Sequence, residues 1–145
     1  MTEDQIGADL LAWDFVLSYL DARYRWEVAA TRALGRAEGT QALDFVIKKV
    51  QDEYRGLLRE FCSEAIVGLD LAAALRDPPS VDATKTSLAS VRTRGGRVIV
   101  ATSEATDPRG DVETFEYVLE RAGDRFVLAD RRTRNLNGRW IHRVL

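Results

Sequence analysis

The sequence predicts an α+β fold in which two N-terminal helices pack on a mostly antiparallel sheet. Three observations carry this reading. Apolar residues recur at steps of three and four through the first 61 positions, the period of helices with one buried face. From Ser87 onward the period becomes two, as in half-buried strands. Between them lies Arg76-Asp77-Pro78-Pro79-Ser80, where two prolines remove backbone donors and restrict the residues before them. Helices followed by strands is the α+β order.

The first helix opens with Thr2 and Gln5, spaced as a capping box. Its stripe is Ile6, Leu10, Trp13, Leu17, Leu20 and Tyr24, continuing through Trp26, Ala30 and Leu34 to an end near Gly35 or Gly39. Thr40 can cap a second helix. There Leu43, Val46, Ile47, Val50, Tyr54, Leu57, Leu58 and Phe61 form the apolar stripe, with most charges off it. Cys62 follows Phe61 and reads as a small buried hydrophobe rather than a thiol nucleophile.

Strands are expected at Ser87 to Arg94 and Arg97 to Glu104, flanking Gly95-Gly96, a hairpin signal. Thr106 to Gly110 reads as a loop. Glu113 to Arg121 alternates, with Phe115, Tyr117 and Leu119 on one face. Gly123-Asp124 turns the chain into Arg125 to Arg132, with Phe126 and Leu128 inward. Asn135 to Gly138 is another turn, and Arg139 to Val144 a last short strand. The expected organisation is one domain over 1–145, helical over 1–62 and mainly sheet over 63–145.

Composition narrows function by exclusion. The chain has 145 residues, enough for a core without disulfide or metal support. One Cys and one His exclude a disulfide framework and a multi-histidine or cysteine-built metal site. No metal and no cofactor are therefore expected. The acidic opening MTEDQIGADL is unlike a secretory leader, and no apolar run is long enough to cross a membrane, so a cytoplasmic protein is expected. A net charge of −2 gives no overall attraction to nucleic acid. The charge is uneven, however: from Arg121 to the end there are seven arginines against Asp124 and Asp130.

The last third carries a more specific pattern. Phe115-Glu116-Tyr117-Val118-Leu119 leads through Gly123-Asp124 to Arg125-Phe126-Val127-Leu128-Ala129-Asp130-Arg131-Arg132, and then to Asn137-Gly138-Arg139-Trp140. Upstream stand Arg25-Trp26-Glu27 and the Pro78-Pro79-x-x-Asp82 approach to the sheet. This resembles the immunity proteins of bacterial polymorphic toxin systems that have a nuclear-transport-factor-two-like fold, a cone-shaped α+β domain with a curved sheet. The resemblance implies a non-enzymatic protein that binds and neutralises a cognate toxin protein. It brings no binding motif with it.

The cone fold also hosts isomerases, dehydratases and hydrolases, so fold alone leaves the activity open. As an enzyme the chain would act on an apolar small molecule, with Asp130, His142, Tyr117 and Arg132 as candidate catalytic residues. Asp130 and Arg132 share strand parity with Phe126 and Leu128, which would aim all four at the cavity. The competing reading makes Asp130 part of a structural ion pair and His142 a packing residue beside Trp140 and Val144. A homodimer joined through the outer sheet face is a third reading.

As a binder, the chain offers its most polarised surface at the end of the sheet. Arg131, Arg132, Arg134 and Arg139 are the candidate partner-binding residues, because arginine forks suit carboxylates and recur at interface hot spots. Tyr117 and Trp140 would add apolar anchors. The rival is cross-strand pairing of these arginines with Glu113, Glu116 and Glu120.

Overall fold

The computed structural model describes residues 3–63, 82–105, 112–134 and 139–142, with side chains described from Gln5 to Arg139 within those ranges. Helix α1 spans Glu3–Arg36 and α2 spans Thr40–Phe61. A single 3-10 turn, Ala83–Lys85, leads into strands β1 (Thr86–Arg94), β2 (Arg97–Ala105), β3 (Val112–Ala122), β4 (Arg125–Arg134) and β5 (Trp140–His142). The strands form one antiparallel meander in the order β1-β2-β3-β4-β5. With two helices on a curved open sheet, the arrangement is α+β and consistent with the nuclear-transport-factor-two-like cone. Thr2, the Pro78-Pro79 break, the 106–110 loop, the 135–138 turn and the strand extension to Val144 lie outside the described residues.

The two helices form an antiparallel hairpin. Trp26 of α1 stacks on Tyr54 of α2, ring centroids 4.6 Å apart, and its indole N–H donates to the Val50 carbonyl at 3.2 Å. At the other end Phe15 and Tyr19 each meet Phe61 at 5.8 Å. These tilted and edge contacts are the arrangements aromatic quadrupoles favour. Val50, Tyr54, Leu57, Leu58 and Phe61 of the expected α2 stripe are buried; Leu43, in the first turn, is exposed. Gly39, rather than Thr40, occupies the N-cap, and no side chain caps the helix.

The buried face of α1 differs from its apolar count. Ala12, Val16, Tyr19, Leu20, Arg23, Trp26, Glu27 and Ala30 are buried, whereas Ile6 and Leu10 are exposed and Trp13, Leu17 and Tyr24 only half-buried. The face is rotated by one residue, about 100° around the helix. Two small alanines allow close approach, and an Arg–Glu pair fills the middle of the stripe where a polar residue would be assigned outward.

The sheet turns follow their glycines. Gly95 and Gly96 have φ of 57° and 77°, the doubly left-handed geometry that suits a two-residue hairpin. Gly123, at φ 69°, opens the two-residue turn between β3 and β4. Two bulges break the alternation. Leu88 pairs with Thr102 and Ser90 with Ala101, leaving Ala89 as the extra residue of β1. Leu128 pairs with Leu119 and Asp130 with Val118, leaving Ala129 as the extra residue of β4. An extra residue flips the faces of everything after it.

The helices and the inward sheet face share one core, including Val100, Phe115, Tyr117, Leu119, Phe126 and Leu128. β5 covers only Arg132, Thr133 and Arg134 of β4. At Leu128 the chain leaving α2 takes that place: Cys62 bridges to Leu128 in parallel, and Ser63 N–H donates to the Leu128 carbonyl at 3.0 Å. The end of α2 is thus pinned to the sheet beside the Ala129 bulge.

Candidate functional site

The inward sheet face carries a closed polar network in an otherwise apolar core. Val100, Tyr117 and Arg131 lie in register across β2, β3 and β4, and Thr102, Phe115 and Thr133 form the next rung. Glu104 follows Thr102 on the same face of β2. Its Oε2 accepts from Thr102 Oγ1 at 2.7 Å and from the Tyr117 hydroxyl at 2.8 Å. Arg131 Nε donates to Tyr117 Oη at 3.1 Å, and Arg131 Nη2 donates to Glu104 Oε1 at 3.4 Å. The guanidinium also lies 4.2 Å from the Phe115 ring centre, a cation–π contact. Every member is at least nine-tenths buried.

Helix α1 contributes a second buried pair. Arg23 Nε donates to Glu27 Oε1 at 3.0 Å, and the guanidinium sits 5.5 Å from the Trp26 ring and 5.4 Å from Tyr54. Arg23 Nη1 reaches Tyr19 Oη at 3.5 Å, and the Tyr19 ring stands edge-on to Tyr117 at 6.5 Å. Two arginines and two glutamates thus lie buried as matched pairs. A buried charge is tolerated when it is paired and hydrogen-bonded. Among the described residues no buried side-chain nitrogen or oxygen lacks a hydrogen-bond partner.

The protonation states follow from burial. Desolvation raises the Tyr117 hydroxyl well above its ordinary range against the opposing charge of Arg131. Burial raises Tyr19 in the same way, opposed by Arg23. It pushes the Cys62 thiol up to about 12, again against Arg23. Both phenols and the thiol are neutral at physiological pH, which suits donors and packing groups rather than bases or nucleophiles.

The expected site residues are divided by the Ala129 bulge. Asp130 and Arg132 do not share the face of Phe126 and Leu128: the extra residue turns them outward and brings Arg131 and Thr133 inward. Arg132 pairs with Glu116, Nη2 to Oε1 at 2.8 Å, and Arg92 closes on the other carboxylate oxygen at 2.6 Å. Arg92, on β1, reaches Glu116, on β3, across β2. The cross-strand pairing considered for the late arginines therefore holds for Arg132. Asp130 is half-buried opposite Val118. His142 is the register partner of Arg132 on β5, and Trp140 that of Arg134; both side chains lie outside the described residues.

The four candidate partner-binding arginines also separate. Arg131 is 4 % exposed and belongs to the core network, so it is not a surface contact. Arg132 is partly covered, while Arg134 and Arg139 are exposed. Tyr117 is fully buried and is no surface anchor. Alternation along β1 to β4 instead assembles a wider outward face. Arg92, Arg94, Arg97, Arg125, Arg132 and Arg134 share it with Glu116, Glu120 and Asp130. Its centre, Ile99, Ala101, Glu116, Val118 and Val127, is buried, so the exposed arginines form its rim.

Glu104, Thr102, Tyr19, Arg23 and Glu27 were not among the expected site residues. Two signals mark them: Glu104 has the parity of Val98 and Val100, and Arg23 and Glu27 stand four apart between buried helix positions. Among the described residues no three His, Cys, Asp or Glu side chains converge as a metal-holding group. No described helix is long and apolar enough to cross a membrane. Comparison with family models gives no match for this chain, and comparisons with curated proteins and with solved structures give none either.

Proposed function

We propose that this protein is a non-enzymatic immunity protein of a polymorphic toxin system, which acts in the cytoplasm by binding and neutralising a cognate toxin. The observation that supports this reading is the aromatic packing on the inward sheet face among the described residues. Where a cone-type enzyme holds its substrate, Phe15, Tyr19, Phe61, Phe115 and Phe126 pack together with a polar network whose members satisfy one another. Of the acid–base candidates, Asp130 and Arg132 face the other way, and Tyr117, which faces inward, serves as a neutral donor to Glu104. What remains for function is surface, and the exposed rim of the outward sheet face, with Arg92, Arg94, Arg97, Arg125 and Arg134, is basic. An acidic toxin surface complements it, and complementary charge favours both rapid encounter and correct register.

A toxin gene is expected beside the one for this chain, and the experiment is co-expression with the toxin domain such a neighbour encodes. Cells that carry this protein survive the toxin, and the two chains purify as a complex. The surface arm is Arg134→Glu with Arg139→Glu, which leaves the Arg132–Glu116 pair intact. This variant folds and protects less. Death of the cells despite abundant folded protein would overturn the reading.

A further inference from the structure

The outward edge of β1 carries a docking surface of defined chemistry. β1 stands at the end of the strand order, and among the described residues its side away from β2 has no strand. All nine of its residues are exposed or half-exposed. An edge of this kind presents unpaired backbone N–H and carbonyl groups, a template for an added strand. Natural edges are guarded by bulges and charge, and β1 has both: Ala89 interrupts the pairing, and Arg92 and Arg94 follow it. Beyond the bulge, Ser90–Arg94 pairs regularly with β2.

Charge decides what can fit there. From Lys85 to Arg97 the chain holds Lys85, Arg92, Arg94 and Arg97 and no acid. Arg92 and Arg97 lean across the outward face, away from the edge, to Glu116 and Glu120. Lys85 and Arg94 are exposed at the edge itself. A second copy of this chain paired antiparallel along β1 would bring Lys85 and Arg94 of both copies into one seam, and Arg92 is already paired with Glu116. An acidic strand meets the same row favourably. Register adds a pattern. Ser90, Arg92 and Arg94 point outward, while Val91 and Thr93 point to the helix side. An added strand would place its own side chains on these two faces in alternation.

We propose that β1 accepts an extended segment of a partner protein in which acidic residues alternate with apolar ones, an acid beside Arg94 and an apolar residue beside Val91. This rests on the reading of the protein as a binder and names the chemistry of its partner.

The test uses the full chain and two synthetic peptides of about ten residues, long enough for a strand. One alternates glutamate with valine, the other lysine with valine. Binding is measured by calorimetry, and amide exchange of residues 90–94 by NMR. The glutamate peptide binds at least about tenfold more tightly than the lysine peptide and slows exchange along β1, and Arg94→Glu removes about tenfold of that affinity at unchanged melting temperature. Equal binding of the two peptides, or binding that leaves β1 exchange unchanged, would overturn the inference. So would a β1-dependent dimer of the chain in sedimentation. Failure of the glutamate peptide with toxin protection intact sinks this docking surface alone. Peptide binding without toxin protection sinks the immunity reading alone.

Discussion

Arg131 stands directly opposite Tyr117 in the β3–β4 register, and its Nε donates to the Tyr117 hydroxyl 3.1 Å away. That hydroxyl in turn donates to Glu104 at 2.8 Å. The relay places one cation and one anion inside the sheet face with a tyrosine between them, and it exists because the Ala129 bulge turns Arg131 inward.

Breaking this relay on one side should be costly. Glu104→Ala strands the Arg131 guanidinium in the core and should cost about 3–5 kcal/mol, the usual penalty for halving a buried pair. Tyr117→Phe leaves the ion pair and removes one donor and one acceptor, so about 1–3 kcal/mol is expected. Urea denaturation of both variants checks the order: Glu104→Ala must be the more damaging.

The bulge itself can be tested by deletion. Removing Ala129 lets Asp130 follow Leu128 directly, so the strand becomes regular while Asp130 and Arg132 stay outward and Arg131 stays inward. The deletion should keep cooperative unfolding and the buried relay. Ala129→Ser keeps the residue count and should stay within about 1 kcal/mol of the parent. Loss of cooperative unfolding in the deletion variant would contradict this register.

Phe61 tests the helix packing. It meets Phe15 and Tyr19, and Cys62 beside it begins the bridge to β4. Phe61→Ala should cost about 3–5 kcal/mol by opening a cavity. A change within about 0.5 kcal/mol in denaturant melts would mean that the contact is dispensable.

Alkaline pH should unfold the protein from within. Cys62, Tyr19 and Tyr117 hold their protons more tightly folded than unfolded, because burial disfavours thiolate and phenolate. Their stabilising effect is complete below the unfolded values, 9.0 for the thiol and 10.0 for the phenols, and is lost as pH climbs toward the folded ones. Stability should begin to fall near pH 9 and fall more steeply above 10, by about 1.4 kcal/mol per pH unit for each group. Denaturant midpoints from pH 7 to 11 measure this. Cys62→Ala should remove the first, shallow part of the decline.

Much of the fold is legible in the sequence because turns and periods are local. Gly95-Gly96 and Gly123-Asp124 fix the hairpins, and β1 to β4 fall within two residues of their expected limits. What misleads is parity across a bulge. Counting by twos from Phe126 gives Asp130 and Arg132 an inward aim, and nothing in Leu128-Ala129-Asp130 announces the extra residue. The α1 face was obscured for a related reason. Arg23 and Glu27 neutralise each other inside the core, so a charge pair occupies positions that hydrophobic counting assigns to solvent. The late arginines divide on the same bulge, which turns Arg131 into the core and leaves Arg132 and Arg134 on the outward face.

On the proposed reading this protein works by its surface and not by chemistry in its interior. Survival of cells tests this most directly, with a toxin domain from a neighbouring gene expressed together with either the parent protein or a core variant, Tyr117→Phe, chosen because it keeps the ion pair. Both should protect fully, in proportion to folded protein, with a stable complex between the two chains. Protection lost in a folded Tyr117→Phe variant, with no complex formed by the parent, would contradict this reading and move the function to the interior network.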